Sequence, residues 1–273
     1  MAFARVSHPA LFQAPLGRGI ATVLGPQGLR LTGLTSFHLD EGPDFAWLNI
    51  YRTLADGRQL EITRERTPDQ VTQEGDGVAV GWAACPEVQA ELQAHYRIAG
   101  PDSLDATFSA RLAADYRRFE FFIANYFTPH YTPYFPVQDD RTHPEGVTWY
   151  QKQWYGHNEA ESWARDADAE AVFRDGRWLD GYPLNWRRGP YYAHALTLQE
   201  HRYGHAILLM ARPADCLGLS GYNSYHNAQY FHLGGDDVQA GQHLTFTIRL
   251  VLLTEWDDLQ ADALAHYHQW LEE

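Results

Sequence analysis

Hydrophobic and polar residues alternate with a period of two along most of this chain, the mark of strands with one face buried and the other wet. The clearest run is SLDATFSARLA, where Leu104, Ala106, Phe108, Ala110 and Leu112 share one face and Ser103, Asp105, Thr107, Ser109 and Arg111 the other. Comparable runs cover Phe45 to Tyr51, Gln59 to Arg64, Val78 to Trp82, Glu91 to Ile98, Arg118 to Tyr126, Tyr191 to Gln199, His205 to Ala211 and Leu244 to Leu253. Turn signals at Asp56-Gly57, Gly75-Asp76-Gly77, Gly100-Pro101-Asp102 and Asp175-Gly176 have the spacing of hairpins and meanders. No helical pattern of any length divides the strands, which argues against a parallel sheet, and no GxGxxG or phosphate loop occurs. The periodicity therefore predicts an all-β chain, a large antiparallel β-sandwich, with one helix in the C-terminal TEWDDLQADALAHYHQWLEE. There Thr254 and Asp257 have capping-box spacing, and Leu259, Ala263, Tyr267, Trp270 and Leu271 form the expected buried stripe. With no repeat, linker or low-complexity tract, one domain over residues 1–273 is the economical reading.

The middle of the chain breaks the pattern. From about Thr128 to Arg188 the alternation is interrupted by Pro129, Pro133, Pro136, Pro144 and Pro183. Proline lacks a ladder donor and fixes φ, so these segments are expected to leave the sheet and form a wall of long loops above it.

Composition sharpens that picture. Nine Trp, sixteen Tyr and thirteen Phe are more rings than a core of 273 residues requires, so many are expected to be partly exposed. A formal charge of −14 repels phosphate backbones and anionic lipid, which argues against nucleic acid and membrane surfaces as partners. Cys85 and Cys216 form no CxxC or Cys-rich framework, and no stretch approaches 18 apolar residues. The start lacks a continuous apolar signal region, and a soluble cytoplasmic protein with reduced thiols is the expectation.

Flat rings mixed with Asn, Gln, His, Arg and carboxylates suit a sugar, whose C–H face stacks on aromatics and whose hydroxyls need polar partners. The candidates for such a platform are Trp149, Tyr150, Trp154, Trp186 and Tyr191, with Arg187 to polarise an oxygen or meet a carboxylate. A second segment, GYNSYHNAQYFHLGGDD, adds Asn223 and Gln229, and the aromatic turn FFIANYFTPHYTPYFPV adds Asn125 and Tyr131. The rings of residues 149–191 and 222–232 are expected to converge on one concave face. Packing of these rings as a lid on the sandwich, or as an oligomer interface, is the competing expectation.

The stretches PDSLDATFSARLAADYRRFEFFIANYF and YFHLGGDDVQAGQHLTFTIRLVLL resemble the galactose mutarotase-like superfamily. The resemblance implies a sandwich that binds carbohydrate on one sheet. Aldose 1-epimerases of that superfamily resemble one another in an Asn-His turn and a late Glu base. Here Asn125 is followed by Tyr126 and Phe127, His130 is displaced by a proline-containing loop, and no late Glu-Pro element occurs. The resemblance still implies a catalytic imidazole near the turn that holds His130.

Imidazoles in aromatic loops titrate near neutrality, so His130 and His226 are the acid–base candidates, with His157 or Glu159 assisting. His201 and His205 fit HxxxH only at a hairpin tip, and Asp139-Asp140 with Glu145 reads as a solvated loop more simply than as a Ca²⁺ site. No metal and no cofactor is expected. The sequence thus predicts a carbohydrate-active enzyme moving a proton at a sugar carbon, by epimerisation or isomerisation, or alternatively by lyase chemistry or glycoside cleavage. A non-catalytic sugar-binding protein is the rival, and the oligomeric state is left open.

Overall fold

The computed structural model describes the chain apart from residues 8–10, 18, 26–30, 40–41, 44, 139–145, 153–159, 179–183, 187–189 and 224–226, and apart from the side chains of residues 7, 36–39, 42–43, 45–46, 184–186 and 223. Among the described residues two large sheets pack face to face. The first runs, in spatial order, Ala4–Ser7 (β1), Leu11–Leu16 (β2), Gly19–Leu24 (β3), Gly33–Leu39 (β4), Phe45–Ala55 (β6), Tyr116–Phe127 (β12), Asn227–Val238 (β20), Cys216–Asn223 (β19), Ala160–Ala164 (β15) and Leu184–Trp186 (β16). Gly42–Pro43 (β5) pairs with β4, and Arg58–Glu61 (β7) with β6. The second sheet runs Val147–Gln151 (β14), Tyr131–Gln138 (β13), Leu196–His201 (β17), His205–Ala211 (β18), His243–Leu253 (β21), Ser103–Leu112 (β11), Ala90–Ile98 (β10), Gly77–Trp82 (β9) and Gln70–Glu74 (β8). Pairing is antiparallel except between β15 and β16.

Alternation decides which side chains meet between the sheets. Along β12, Phe119, Phe121, Ile123 and Phe127 join a core with Leu104, Ala106, Phe108, Leu209 and Leu250 of the second sheet. Each such ring or aliphatic chain contributes about 1.5–3 kcal/mol on burial. The other parity of β12 belongs to a separate cluster, on the outer face of the first sheet: Phe122, Ala124 and Tyr126, with Trp47, Tyr51, Trp178 and Tyr230. The chain's one lysine, Lys152, is also buried, with Nζ 3.4 Å from Glu161.

Several expectations need correction. The proline-rich segment after Thr128 does not leave the sheet, because Tyr131–Gln138 is a strand between β14 and β17. The carbonyl of Pro133 accepts from Lys152 N just past the end of β14, and that of Pro136 from Ala193 N just before β17 begins. Each proline's missing donor therefore faces a side where the ladder has no strand. A short helix, Ala167–Phe173 (α1), does separate strands, capped by Asp166 through Ala169 N, and Asp175-Gly176 follows it instead of forming a hairpin. The C-terminal helix is Leu259–Leu271 (α2), and its N-cap is Asp258, which accepts from Gln260 N and Ala261 N, not Thr254. Its predicted stripe does pack inward, with Ala263, Tyr267 and Trp270 buried. The run at Tyr191 becomes a strand only from Leu196. At the β6–β7 hairpin Asp56 and Gly57 both adopt positive φ, as a tight two-residue turn requires.

Candidate functional site

The outer face of the first sheet carries a dense combination of rings and cations. Tyr51 lies in a bulge of β6, where the register against β12 slips, so that it and Arg52 both reach the outer face. The Phe122 and Tyr230 rings stack at 4.6 Å and 13°, and Tyr230 stacks on Tyr51 at 6.3 Å and 24°. Trp47 lies 5.1 Å from Tyr126, its indole N–H tied to Thr32 O at 2.6 Å. Trp178 meets Phe122 edge-on at 4.9 Å. These geometries are the offset and T-shaped arrangements that ring quadrupoles favour.

Two arginines address the same ring. Arg64 Cζ sits 4.4 Å and Arg52 Cζ 4.7 Å from the Tyr51 centroid. Arg64 Nη1 donates to the Tyr126 hydroxyl at 2.8 Å, and Arg52 Nη1 donates to Gln59 Oε1. Burial pushes the Tyr126 phenol well above its ordinary value, and the pull of Arg64 offsets only part of this. The phenol therefore keeps its proton at neutral pH and gives it up less readily than an exposed tyrosine does.

Beneath Trp178 runs a buried hydrogen-bonded chain. Ser162 Oγ meets Ser220 Oγ at 2.7 Å, Ser220 Oγ meets His232 Nε2 at 2.8 Å, and His232 Nδ1 meets Glu120 Oε1 at 2.7 Å. Arg177 closes the chain, donating Nη1 to Glu120 Oε2 at 2.7 Å and holding Asp175 through Nε at 2.9 Å and Nη2 at 2.8 Å. Burial pushes Glu120 up, but His232 and Arg177 together outweigh it, and the carboxyl lies below its ordinary value. The Glu–His–Ser order resembles a hydrolase triad, yet Ser220 is fully buried and shares its hydroxyl with Ser162. A serine without access cannot attack a substrate, so the chain acts as a brace that pins the Arg177-Trp178 segment over the sheet.

Sequence-predicted residues fall into three groups. Asn125, Tyr131 and Gln229 face the interior between the sheets and not the outer platform: Asn125 and Gln229 are register partners, and the Tyr131 hydroxyl lies 3.1 Å from His205 Nε2. Trp149 and Tyr150 belong to β14 of the second sheet, Tyr150 packing on Trp163 at 5.1 Å, and Tyr191 packs beside Phe173 and Leu217. The rings thus do not converge on one face: Trp178, Tyr222 and Tyr230 share the outer platform, and Tyr150 and Trp163 do not. His130 is exposed at the β12–β13 turn, its ring 5.9 Å from His201. His157, Glu159, Trp154, Arg187 and His226, with the Asp139, Asp140 and Glu145 loop, lie outside the described residues, as do the side chains of Trp186 and Asn223. Among the described residues there is no group of three or more His, Cys, Asp or Glu that could hold a metal. Nor is any helix among them long and apolar enough to cross a membrane.

The platform residues Trp47, Tyr51, Tyr126, Tyr230, Arg52 and Arg64 escaped the sequence reading. A signal was present in FAWLNIYR, RFEFFIANYF and NAQYFHL, where large apolar residues occupy both parities of a strand. A strand that is apolar on both faces must be covered on both.

No family model matches the chain, and no curated protein matches it in sequence. Solved structures do resemble it. An α-N-acetylgalactosaminidase from Bifidobacterium bifidum aligns with TM-score 0.53 and 11% identity over 90% of this chain and 36% of its own. A candidate aldose 1-epimerase from Escherichia coli K12 aligns with TM-score 0.49 and 11% identity over 90% of this chain and 99% of its own. A heparan sulfate lyase from Pedobacter heparinus aligns with TM-score 0.47 and 8% identity over 94% and 37%. The chain thus spans little more than a third of the galactosaminidase and the lyase. The fold is the galactose mutarotase-like antiparallel sandwich with a C-terminal helix.

Proposed function

We propose that the protein is carbohydrate-active and binds a sugar over the outer face of the first sheet, against Tyr51, Tyr126 and Tyr230. The observation that carries this reading is the ring cluster flanked by Arg52 and Arg64: its stacked rings are buried, and the partly exposed Arg64 and Tyr222 at its edge offer the donors and the ring that a sugar's oxygens and C–H face require. The name of the galactosaminidase, an enzyme that acts on carbohydrate, supports the substrate class. The reaction is acid–base proton transfer at a sugar carbon, of the epimerase or isomerase kind, with lyase or glycoside cleavage as variants on the same fold. In it Tyr126 donates a proton while Arg64 steadies the oxygen left behind. His130, His226, His157 and Glu159 are the proposed partners that take a proton from the other side.

A second reading, a non-catalytic sugar-binding protein, is favoured by the same phenol: Tyr126 is raised away from neutrality, where a base would be poised. Proton NMR separates the two. Saturation transfer from protein to a panel of hexoses, N-acetylhexosamines and uronic acids should identify a ligand, and that ligand should then exchange its anomer, take up solvent deuterium or be cleaved. No transfer to any sugar defeats both readings. Transfer without turnover leaves the binding protein.

A further inference from the structure

Ala193, His194 and Ala195 form a junction at which four elements meet. Ala193 N donates to Pro136 O of β13 at 2.8 Å, Ala211 N at the end of β18 donates to Ala195 O at 2.8 Å, and β17 begins at Leu196. From α2, the buried Tyr267 hydroxyl accepts from Ala195 N at 3.3 Å. The His194 imidazole makes a further contact with the helix. Its ring lies 5.6 Å from that of Tyr267 and 5.3 Å from that of His268, edge to face in both cases. His194 is half-buried, whereas His268 stands exposed in the last turn of α2.

The surroundings of His194 decide how it answers to a proton. From α2 it is faced by His268 and Tyr267, and Tyr267 in turn faces Tyr192 and Cys216. Burial keeps these last three protonated and neutral: both phenols are raised above their ordinary value, and the Cys216 thiol is pushed up to about 12. Further along the inner face of α2, Arg212 and Arg249 flank the Trp270 ring at 5.2 and 5.6 Å, Arg249 being paired with Asp105 and Glu273. Among the described residues no carboxylate acts on His194, and burial together with His268 holds its imidazole below the ordinary 6.5. A proton on this ring meets a second imidazole where a counter-ion would be needed.

We propose that His194 and His268 form an acid-sensitive clasp for α2: neutral, the pair packs the helix against the Ala193–Ala195 junction, and doubly protonated, it pushes the end of the helix away from the second sheet. The last turns of α2 are poorly placed to resist, because a groove of about 220 Å³, lined by Met210, Arg249, Val251, His266 and Trp270, already lies beside them. Since the folded imidazole binds its proton more weakly than the unfolded one, the clasp's contribution is complete above 6.5 and is lost as pH falls from there through the lower folded value. That window lies above the one in which Glu120 titrates.

Hydrogen exchange of the full chain, read by mass spectrometry at about pH 7.5 and about pH 5.5 and corrected for the intrinsic rate, tests the clasp. On acidification the protection of residues 259–271 should fall by roughly fourfold, the scale of two like charges about 5 Å apart in water, while residues 103–112 of β11 keep theirs. His194→Gln, neutral at every pH, should abolish the fall. His268→Gln changes an exposed position and should remove most of it, which decides the matter should the first variant not fold. No fall in α2, an equal fall in β11, or a fall that His268→Gln leaves unchanged would overturn the proposal.

Discussion

On the outer face of the first sheet Tyr51, Tyr230 and Phe122 form a continuous buried stack beside two arginines, whereas on the outer face of the second Gln93, Thr107, Ser109 and Thr247 stand in half-exposed rows. Both sheets solve the same folding problem inward, with alternating apolar residues that bury each other. Nothing in that problem requires rings on an outer face. The second sheet shows what folding alone demands there: Thr107 and Thr247 hydroxyls 3.1 Å apart, and Arg249 gripping Asp105 at 2.8 and 3.1 Å. It also bears a groove of about 350 Å³, lined by residues such as Asp69, Gln70 and Arg111, with Trp82 and His243 as its rings. The first sheet's outer face differs in kind, because its rings are themselves buried as a second apolar cluster, with Tyr51 7%, Tyr126 8% and Tyr230 3% exposed.

The most severe way to break the comparison is to free the strap over the platform. Arg177→Met leaves the Glu120 carboxylate buried without its guanidinium, and unfolding in urea should show a loss of about 3–5 kcal/mol. Glu120→Gln in the same chain should return part of that loss. The pH dependence follows from the depressed Glu120 carboxyl: its contribution is complete above the unfolded value, near the ordinary 4.5, and is lost as pH falls through the lower folded value. Stability should accordingly drop as pH falls through that range, and less steeply in Glu120→Gln. A cost of under about 1 kcal/mol for Arg177→Met would mean that the strap is held by its aromatic contacts instead.

Binding sharpens the contrast next. Tyr51→Ala removes the ring that both arginines address and should weaken sugar affinity by about 30-fold, as loss of a buried aromatic anchor does. Tyr126→Phe keeps the ring and should leave affinity nearly intact while lowering turnover by about 100-fold, if the phenol is the acid. Gln93→Ala, on the second sheet, should alter neither. Titration of the three variants with the identified sugar checks this, and equal losses from Tyr51→Ala and Gln93→Ala would remove the platform from the reading.

How much of this was legible follows from which interactions are local. Alternation in SLDATFSARLA gave β11 almost residue by residue, and His205 to Ala211 matches β18, because a half-buried strand writes its burial into adjacent positions. Pro133 and Pro136 misled, since whether a missing donor matters depends on where neighbouring strands begin and end, which no local pattern records. Tyr51 and Arg64 are drawn together by a bulge and a short 3₁₀ turn at Thr63–Glu65, and Glu120 meets His232 from 112 residues away. Asn125 and Gln229 were marked as ligand contacts from their aromatic neighbours. Their parity, shared with Phe121 and Phe231, already placed them inward.

A smaller effect is expected where α2 covers part of the second sheet. Asp258 takes two main-chain donors at the helix start, and Asp258→Ala should lower stability by about 1 kcal/mol, read from the urea midpoint at unchanged slope. A loss near zero would show that Tyr267 and Trp270, buried in the core, hold the helix without its cap.

The smallest effect belongs to the open rows of the second sheet. Arg111 and Glu91 are register partners whose charged groups lie 4.0 Å apart, with 75% and 66% of the side chains exposed. In water such a pair gains little Coulomb energy and loses rotamer freedom, so Arg111→Ala should change stability by less than about 0.5 kcal/mol, and raising salt should erase even that. Strand β11 keeps its ladder to β10 and β21 in either case, because the pair adds nothing to the main-chain bonds. A loss above about 1 kcal/mol, insensitive to salt, would mean that this face contributes energetically in a way its exposure denies. The contrast with Arg177 would then rest on burial alone and not on any difference in what the two outer faces are built to do.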